Sequence, residues 1–330
     1  MNPPEVLLLS RSAVASLATT RDYLDAMQTA FADLARGRFE VPPVAHVAGA
    51  GGMFHIKSAQ RTGSPSFAAI KVNGNFPENA ARRKLPTIQG FVALLDAECG
   101  CVLALMDSIE ITARRTAAAT ALAAQHLARA DSRTLAMIGC GVQARYHVEA
   151  LLDVRRIESV AFCDPRDDAA AGFAARMREL GLQARRVDDA RNAVRDADIV
   201  VTVTTSTRPV LGLADIAAGA FVAGVGADNP SKHELAADLL KASRVIVDSM
   251  AQASVMGDLH HALEAGVMQP ANVRGELADL VTGRVTGRRH DDERWVFDST
   301  GLSIEDLAAA TMLYERARAA GGVPQFALAN

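Results

Sequence analysis

A glycine-rich turn lies between an apolar stretch and a helical pattern near the middle of the chain. The apolar residues Leu135–Ile138 are followed by Gly139, Gly141 and Ala144, with two residues between the last pair. In such a turn the first glycine permits a tight bend and the second lets a pyrophosphate approach the backbone, while the third small residue allows close packing of helix and strand. A helix starting at Val142 would offer its free N–H groups and its dipole to the anion. The sequence therefore predicts a dinucleotide site.

The carboxylate that would select the dinucleotide follows the next predicted strand. Asp164 comes directly after Ser159–Cys163 and 20 residues after Ala144. A carboxylate at this place accepts hydrogen bonds from the adenosine ribose hydroxyls, which favours NAD. Arg166, two residues further on, would instead pair with a 2′-phosphate, so NADP is the alternative.

Lys71 is one of only five lysines in a chain with 30 arginines. It lies in the apolar stretch Phe67–Asn73, where alternation places Phe67, Lys71 and Asn73 on one face of a strand. One interpretation is a solvated lysine at a strand edge. The other is a partly buried lysine, whose lowered pKa would allow proton transfer near neutral pH.

Arg115 falls on the apolar face of a predicted helix. Ile111, Arg115, Ala118 and Leu122 follow helical spacing, so the guanidinium should point inward. An inward guanidinium needs an anion, either a structural carboxylate or a carboxylate or phosphate of a bound substrate. Both remain open on the pattern alone.

Asp228 follows the apolar strand that begins at Phe221, at the carboxyl end where open α/β sheets bind ligands. The alternative is a helix cap or an Asx turn before Pro230. We interpret the pair His260 and His261 as a surface pair and expect no metal, because neither residue has a partner at metal-ligand spacing.

Composition excludes several classes of protein. Apolar residues make up 49% of the chain and the net charge is −3, without a concentrated basic face for a nucleic acid or a membrane surface. No apolar run approaches the ~18 residues of a membrane helix, and the first ten residues lack the features of a secretion signal. The four cysteines fit neither a disulfide framework nor a four-thiolate zinc site. We expect free thiols and a cytoplasmic protein.

The sequence pattern of the 330-residue chain changes at about residue 108. The first part, up to residue 107, predicts a helix from Thr20 to Arg36 and short strands separated by turns, as in an antiparallel sheet. From Ser108 onward apolar strands alternate with helices, which predicts a doubly wound parallel sheet. The short strands of the first part leave exposed edges, which we expect to pair with a second copy.

Several motifs in this order resemble the ornithine cyclodeaminase/μ-crystallin family. They are Ile70-Lys-Val-Asn-Gly74, Leu85-Pro-Thr87, Leu105-Met-Asp107, Thr112-Ala-Arg-Arg-Thr116, the Gly139 turn, Gly226-Ala-Asp228, Glu234-Leu235 and Phe297-Asp-Ser-Thr-Gly301. The resemblance implies an α/β fold: a Rossmann-like doubly wound domain (118–302) and a smaller α+β dimerisation and substrate domain (1–117 with 303–330). It also implies a homodimer.

By the same resemblance, Lys71 and Arg115 hold a substrate carboxylate near Asn73, and Asp228 gives or accepts the proton. The cofactor contacts that it implies, together with those of the glycine turn, are Thr87, Arg115, Thr116, Gly139, Gly141, Val142, Gln143, Asp164, Arg166, Thr204, Val222, Ala223, Gly224, Val225, Lys232 and Ser299.

The chain departs from the cyclodeaminases at the substrate. Their first carboxylate-binding arginine corresponds to Ala45 here, and their methionine-proline-alanine strand corresponds to His55-Ile-Lys57. We expect Lys57 and His55 to replace the missing cation or to bind a second polar group, which disfavours ornithine.

Two classes of function follow. The first is an NAD(P)-dependent imino-acid (ketimine) reductase or amino-acid dehydrogenase acting on a small amino or imino acid, with a cyclodeaminase that releases ammonia as its sibling. The second is a crystallin-like protein that binds a small molecule without turnover. Asp228 favours the enzyme, because a binding protein needs no residue for proton transfer.

Overall fold

The computed structural model describes residues 5–328, so the first four residues of the segment tested for a secretion signal lie outside it. The chain divides into two compact units. Unit 1 extends to Thr116 and resumes at Leu302, whereas unit 2 comprises Ala117–Gly301. Unit 1 is therefore built from two separate stretches of sequence.

Unit 1 is a sheet with helices on one face. Its elements are β1 (Val6–Leu9), α1 (Arg11–Leu17), α2 (Thr20–Ala35), β2 (Phe39–Glu40), β3 (Ala45–Gly49), β4 (Gly52–Arg61), β5 (Phe67–Asn75), α3 (Asn79–Arg83), β6 (Ile88–Asp96), β7 (Val102–Asp107) and the first half of α4 (Ser108–Leu127). The helix Ser303–Ala320 and the strand Gln325–Phe326 complete it and are numbered α12 and β18 below, after the elements of unit 2.

The sheet of unit 1 is mixed rather than antiparallel. Strands β4, β5, β6 and β7 form an antiparallel meander, but β1 runs parallel to β7. The expectation of an antiparallel sheet is wrong at this strand because helices α1 and α2 separate β1 from the rest, and local turn signals do not report such a long connection. Helix α12 packs on the inner face, where Ala69, Val92 and Leu94 are almost fully buried.

The outer face of the same sheet carries exposed apolar side chains on neighbouring strands. Strand register places Leu8 opposite Leu105, Leu105 opposite Ala93, and Ala93 opposite Ile70. Phe91 on this face is 44% exposed. The two outermost strands, β2 and β18, are only two residues long. The broad apolar surface is therefore a face of the sheet and not one of its edges.

Unit 2 alternates strands and helices. Its elements are β8 (Thr134–Ile138), α5 (Val142–Leu152), β9 (Ser159–Cys163), α6 (Asp167–Glu179), β10 (Gln183–Arg186), α7 (Ala190–Val194), β11 (Ile199–Thr202), β12 (Thr207–Leu211), β13 (Phe221–Gly224), β14 (His233–Leu235), α8 (Ala237–Lys241), β15 (Arg244–Val247), α9 (Met250–Ala253), α10 (Gly257–Glu264), β16 (Gly275–Glu276), α11 (Leu277–Val281) and β17 (Trp295–Asp298).

Eight of these strands form one parallel sheet in the order β10-β9-β8-β11-β13-β17-β15-β16. Its central strands are apolar on both faces; Val200, Val222 and Val296 have no exposed surface. This is the pattern of a sheet covered by helices on both sides, and it confirms the doubly wound fold. The strand order reverses between β8 and β11, the place where such sheets bind ligands. In residues 5–328 no helix is long and apolar enough to span a membrane.

Candidate functional site

Lys71 lies on the inner face of β5 and is 4% exposed, so it is not a solvated edge lysine. Its Nζ is 2.5 Å from Oδ2 of Asp306 on α12 and 3.5 Å from Oγ1 of Thr112. Burial lowers the pKa of Lys71 to about 7, and the charge of Arg115 opposes protonation further, while Asp306 favours it. The amine can therefore gain or lose a proton near neutral pH.

Arg115 points inward from α4 and is also 4% exposed. Its Nη1 donates to Oε2 of Glu305 at 2.8 Å, and its Nε donates to Oδ1 of Asp306 at 3.0 Å. Burial alone would raise the pKa of Asp306, but the charges of Arg115 and Lys71 hold it below its usual value. The structure thus supplies structural carboxylates as the anion that the inward arginine requires.

Lys57 stands directly opposite Lys71 on the neighbouring strand, and His55 stands opposite Asn73. These side chains share the inner face, and the Oγ of Ser108 donates to Oδ1 of Asn73 at 2.5 Å. Across the face three cationic side chains (Lys57, Lys71, Arg115) meet two carboxylates (Glu305, Asp306). When Lys71 is protonated, this group carries one net positive charge, which suits an anionic ligand.

Replacing Asp306 tests the buried cluster. Asp306→Asn removes the partner of Lys71 and one partner of Arg115, so the pKa of Lys71 should fall and the free energy of unfolding should drop by about 3 to 5 kcal/mol. Urea unfolding measures the stability, and NMR titration of reductively methylated lysine measures the pKa. Asp25→Asn, which breaks an exposed ion pair with Arg21, is the control and should change little. Equal losses in the two variants would contradict the assignment.

In unit 2 the glycine turn after β8 has the geometry of an anion-binding loop. Gly139 has a φ of +91°, and a Cβ there would lie 2.9 Å from the carbonyl oxygen of Val203. A Cβ on Gly141 would meet only Nη2 of Arg166, at 4.0 Å, so the space above the turn is open. The turn leads into the N-terminus of α5, where Val142 is 60% exposed. The loop therefore has room for a pyrophosphate on free N–H groups.

Asp164 is buried at the end of β9. Its Oδ2 accepts the N–H of Cys140 at 2.8 Å, and its Oδ1 accepts the N–H of Arg166, also at 2.8 Å. Burial alone would raise the pKa of Asp164, but these hydrogen bonds and the Arg166 guanidinium keep it below its usual value. The carboxylate is thus ionised and fixed against the glycine turn. The Arg166 side chain is 61% exposed, and its Nε lies 3.4 Å from Oδ1 of Asp164.

One orphaned atom supports a ligand here. Oε1 of Gln143, in the first turn of α5, is buried and has no hydrogen-bond partner among the described residues. A buried amide oxygen is normally paired, so a donor from outside the chain fits this place. With the open turn and the exposed Val142, the residues present fit a dinucleotide.

Asp228 lies in the loop after β13 and is 57% exposed. Its Oδ1 accepts a hydrogen bond from Nζ of Lys232 at 2.6 Å. Asp228, which we expected to transfer the proton, and Lys232, which we expected to contact the cofactor, thus form an ion pair. Because the carboxylate is accessible, it can exchange a proton with a ligand.

Sequence reasoning missed the role of Glu234, which holds the loops at this edge of the sheet together. This fully buried carboxylate accepts the N–H groups of Thr204 and Gly226, both at 2.6 Å. It also accepts the Thr202 hydroxyl at 2.8 Å. The carboxylate therefore joins the ends of β11 and β13. The available signal was an acid between a polar loop and the apolar Leu235.

Two further buried carboxylates lie behind Glu234. Oδ1 of Asp258 accepts the N–H of Glu234 at 2.7 Å, and Oδ2 of Asp298 accepts the N–H of Leu259 at 2.8 Å. Burial raises the pKa of Asp258 well above its usual value, assisted by the charges of Asp298 and Glu234. Burial likewise raises the pKa of Asp298 to about 7. Asp298 is therefore protonated in the folded protein below neutral pH.

This protonation makes the stability of unit 2 depend on pH. Asp298 binds a proton in the folded state up to about pH 7, but in the unfolded chain only up to about pH 4. Its contribution to stability is therefore lost as the pH rises through 7. Between pH 5.5 and 8.5 the free energy of unfolding of the wild type should fall by about 2 kcal/mol relative to that of Asp298→Asn.

The comparison of variants removes the contributions of Lys71 and His147, whose pKa values are lowered by burial, because they titrate in both proteins. The remaining difference reports Asp298 together with its effect on Asp258, whose pKa the charge of Asp298 raises. Chemical denaturation at several pH values measures the difference. A difference that stays constant across this range would show that Asp298 is ionised throughout.

The remaining residues expected at the sites are distributed as follows. Thr87 and Thr116 belong to unit 1, whereas Thr204, Lys232 and Ser299 belong to unit 2. One expectation needs correction: Val222 and Ala223 of β13 have no exposed surface, because they pack inside the sheet. Only the end of that strand, from Gly224 to Val225, approaches the edge where ligands bind.

The interpretation of His260 and His261 as a surface pair is wrong. Both rings are half-buried on α10, and each donates a hydrogen bond to a backbone carbonyl. The His261 ring also stacks on His233, with ring centroids 4.0 Å apart.

The parallel sheet, its glycine turn and the ligand-binding edge define unit 2 as a dinucleotide-binding fold of the Rossmann type. The ornithine cyclodeaminase/mu-crystallin family model matches residues 5–321. The chain belongs to this family, as the motifs from Lys71 to Gly301 predict.

Three solved structures are similar over nearly the whole chain. An archaeal alanine dehydrogenase dimer with bound NAD is 33% identical, with a TM-score of 0.93 and coverage of 99% of this chain and 100% of the other. The Δ1-pyrroline-2-carboxylate reductase of Thermococcus litoralis, in complex with NADH and L-proline, is 32% identical (TM-score 0.91, coverage 96% and 99%). The iminosuccinate reductase of Paracoccus denitrificans, in complex with NAD+, is 30% identical (TM-score 0.90, coverage 98% and 99%).

Proposed function

We propose that this protein is an NAD-dependent oxidoreductase that acts on a carbon–nitrogen bond, reducing a small imino acid or, in reverse, oxidising an amino acid. The observation that carries the proposal is the buried cationic cluster of unit 1 together with the open glycine turn of unit 2. The first suits a carboxylate and the second suits a dinucleotide. All three similar structures named above are enzymes of this type.

When bound, NADH supplies a hydride to the carbon of the imine. The residues of the chain do the rest. Arg115 and Lys71 bind and orient the substrate carboxylate, which fixes the reacting carbon. Asp228 passes a proton, which its exposed carboxylate takes up from solvent, to the nitrogen, and accepts one in the reverse reaction. Lys232 holds the carboxylate of Asp228 in place by their 2.6 Å contact. Lys71, with its pKa of about 7, is a second group able to transfer a proton.

The cofactor contacts we propose are the Gly139 and Gly141 turn with Val142 and Gln143 for the pyrophosphate, and Asp164 with Arg166 for the adenosine ribose. The set is completed by Thr87, Arg115, Thr116, Thr204, Gly224, Val225, Lys232 and Ser299.

A reductase is favoured over a cyclodeaminase by the charge of the substrate face. A diamino acid such as ornithine carries a distal ammonium. The net positive charge of the cluster formed by Lys57, Lys71 and Arg115 with Glu305 and Asp306 would repel that ammonium. A second carboxylate would be attracted instead. We therefore propose that the substrate side chain is neutral or acidic.

An assay of NADH oxidation with a panel of cyclic and acyclic imino acids tests the function. We expect turnover of at least one substrate, and a loss of roughly 10²-fold or more in kcat with Asp228→Asn. The variant should keep its affinity for NADH, measured by quenching of fluorescence. Release of ammonia from ornithine would establish the cyclodeaminase, and binding without turnover would establish a binding protein.

Lys57→Met tests the second cation. The methionine keeps the length of the side chain but removes the charge, so kcat/KM for an acidic imino acid should fall roughly 10²-fold. A neutral imino acid should be much less affected, and NADH binding should not change. An effect of less than twofold on the acidic substrate would show that Lys57 does not contact it.

Asp164→Ser tests the choice of cofactor. The wild type should bind NADH more tightly than NADPH, because the Asp164 carboxylate repels a 2′-phosphate. The serine removes that repulsion and leaves Arg166 free to pair with the phosphate, so the preference should narrow or reverse. Dissociation constants for the two cofactors measure it. A wild-type preference for NADPH would assign the position to Arg166.

We also propose a cytoplasmic location, because the four cysteines are free thiols.

We further propose a homodimer formed by the outer face of the unit 1 sheet. The exposed apolar side chains of this face, including Phe54, Ile70, Phe91 and Leu105, support burial against a second copy. Light scattering should give twice the chain mass, and Phe91→Glu should shift it toward the monomer. A monomeric wild type at micromolar concentration would contradict the dimer.

A further inference from the structure

Three side chains of metal-ligating types converge on helix α10 of unit 2. One ligand atom each of His260, His261 and Glu264 lies within 4.8 Å of the others. Nε2 of His260 lies 3.4 Å from Oε2 of Glu264. Glu264 is four residues after the first histidine and three after the second, so helix geometry places it beside both.

One ring nitrogen of each histidine already makes a hydrogen bond to a backbone carbonyl. Nδ1 of His260 is 3.1 Å from the carbonyl oxygen of Ser254, and Nε2 of His261 is 2.9 Å from that of Lys232. A carbonyl only accepts, so both of these nitrogens carry the hydrogen. When a ring is neutral, its lone pair is therefore on Nε2 in His260 and on Nδ1 in His261. Metal-bound histidines are held by the same arrangement of a backbone acceptor behind each ring.

The surroundings restrict ring motion on one side and leave access on the other. His261 stacks on His233, with an angle of 15° between the ring planes. The His260 side chain is only 16% exposed, whereas the Glu264 side chain is 67% exposed. An ion can thus enter past the carboxylate and meet two imidazoles that have little freedom to lose.

We propose that His260, His261 and Glu264 form a binding site for a zinc-type divalent cation. Two imidazole nitrogens and one carboxylate oxygen are the donors of a four-coordinate zinc site that keeps one position for water. Magnesium and calcium prefer oxygen ligands and should bind poorly. The site does not depend on the proposed reductase activity.

Calorimetric titration of the full chain with zinc chloride tests the proposal. Wild type should bind one equivalent at this site, and millimolar magnesium should not compete. Glu264→Gln changes an exposed residue that the fold does not need, and it should weaken binding roughly tenfold or more, as should His260→Ala. His290→Ala, at an exposed histidine outside the cluster, is the matched control and should bind like wild type.

The thiols of Cys99 and Cys101 are the competing zinc ligands, so Cys101→Ser is titrated alongside and should retain binding. Cobalt(II) provides a second readout, because its visible absorption reports nitrogen and oxygen ligands without thiolate bands. The proposal is overturned if wild type shows no saturable binding, if binding survives both Glu264→Gln and His260→Ala, or if Cys101→Ser abolishes it.

Discussion

The need to neutralise buried cations determines how unit 1 is built. Lys71 and Arg115 are both 4% exposed, and a charge in that environment is strongly unfavourable without a partner. Their partners, Glu305 and Asp306, lie on the helix that returns from the far end of the sequence. Helix α12 therefore has an electrostatic role in addition to packing its apolar side chains on the sheet. The same pairs keep the two cations in fixed positions before any ligand arrives.

Unit 2 contains buried acids rather than buried cations, and three of these acids (Glu234, Asp258 and Asp298) have no cationic side chain among their described hydrogen-bond partners. Glu234 is a buried carboxylate whose described hydrogen bonds come from two backbone N–H groups and a hydroxyl. Burial raises the pKa of Glu234, and these neutral donors oppose that rise while they fix the loops beside Asp228. Asp298 instead avoids the charge by keeping its proton to about pH 7. Burial thus disfavours charge in both units. In unit 1 buried charges are paired with opposite charges, whereas these three acids of unit 2 accept hydrogen bonds from neutral donors or keep a proton.

Regular elements with strong patterns were predictable from sequence. The start of α5 at Val142 and the bounds of β9 agree with the sequence prediction, because both segments combine a continuous apolar or helical period with a clear boundary signal. Strands β1 and β3 were missed. The first pairs with a strand about 100 residues away, and the second is exposed over most of its length, so neither leaves a local apolar period.

The candidate site was predictable only in part. Helical spacing correctly turned Arg115 inward, but it left open whether the anion was structural. Glu305 and Asp306 are about 190 residues away in sequence, and nothing near Arg115 points to them. The same holds for Glu234, whose partners are backbone groups of two other loops. The family motifs included Glu234 without assigning it a role, and they included neither Glu305 nor Asp306. Burial removed Val222 and Ala223 from the expected contacts.

The discontinuity of unit 1 has a consequence for the order of folding. During synthesis the sheet strands β1 to β7 emerge first, and all of unit 2 follows before residues 302–328 appear. Unit 2 has its own contiguous sequence and core, so it can fold while the polypeptide is still growing. Lys71 and Arg115 must meanwhile stay hydrated, because their acidic partners have not yet been made. The inner face of the first sheet can close only when α12 arrives, which makes the docking of this helix the last step in forming unit 1.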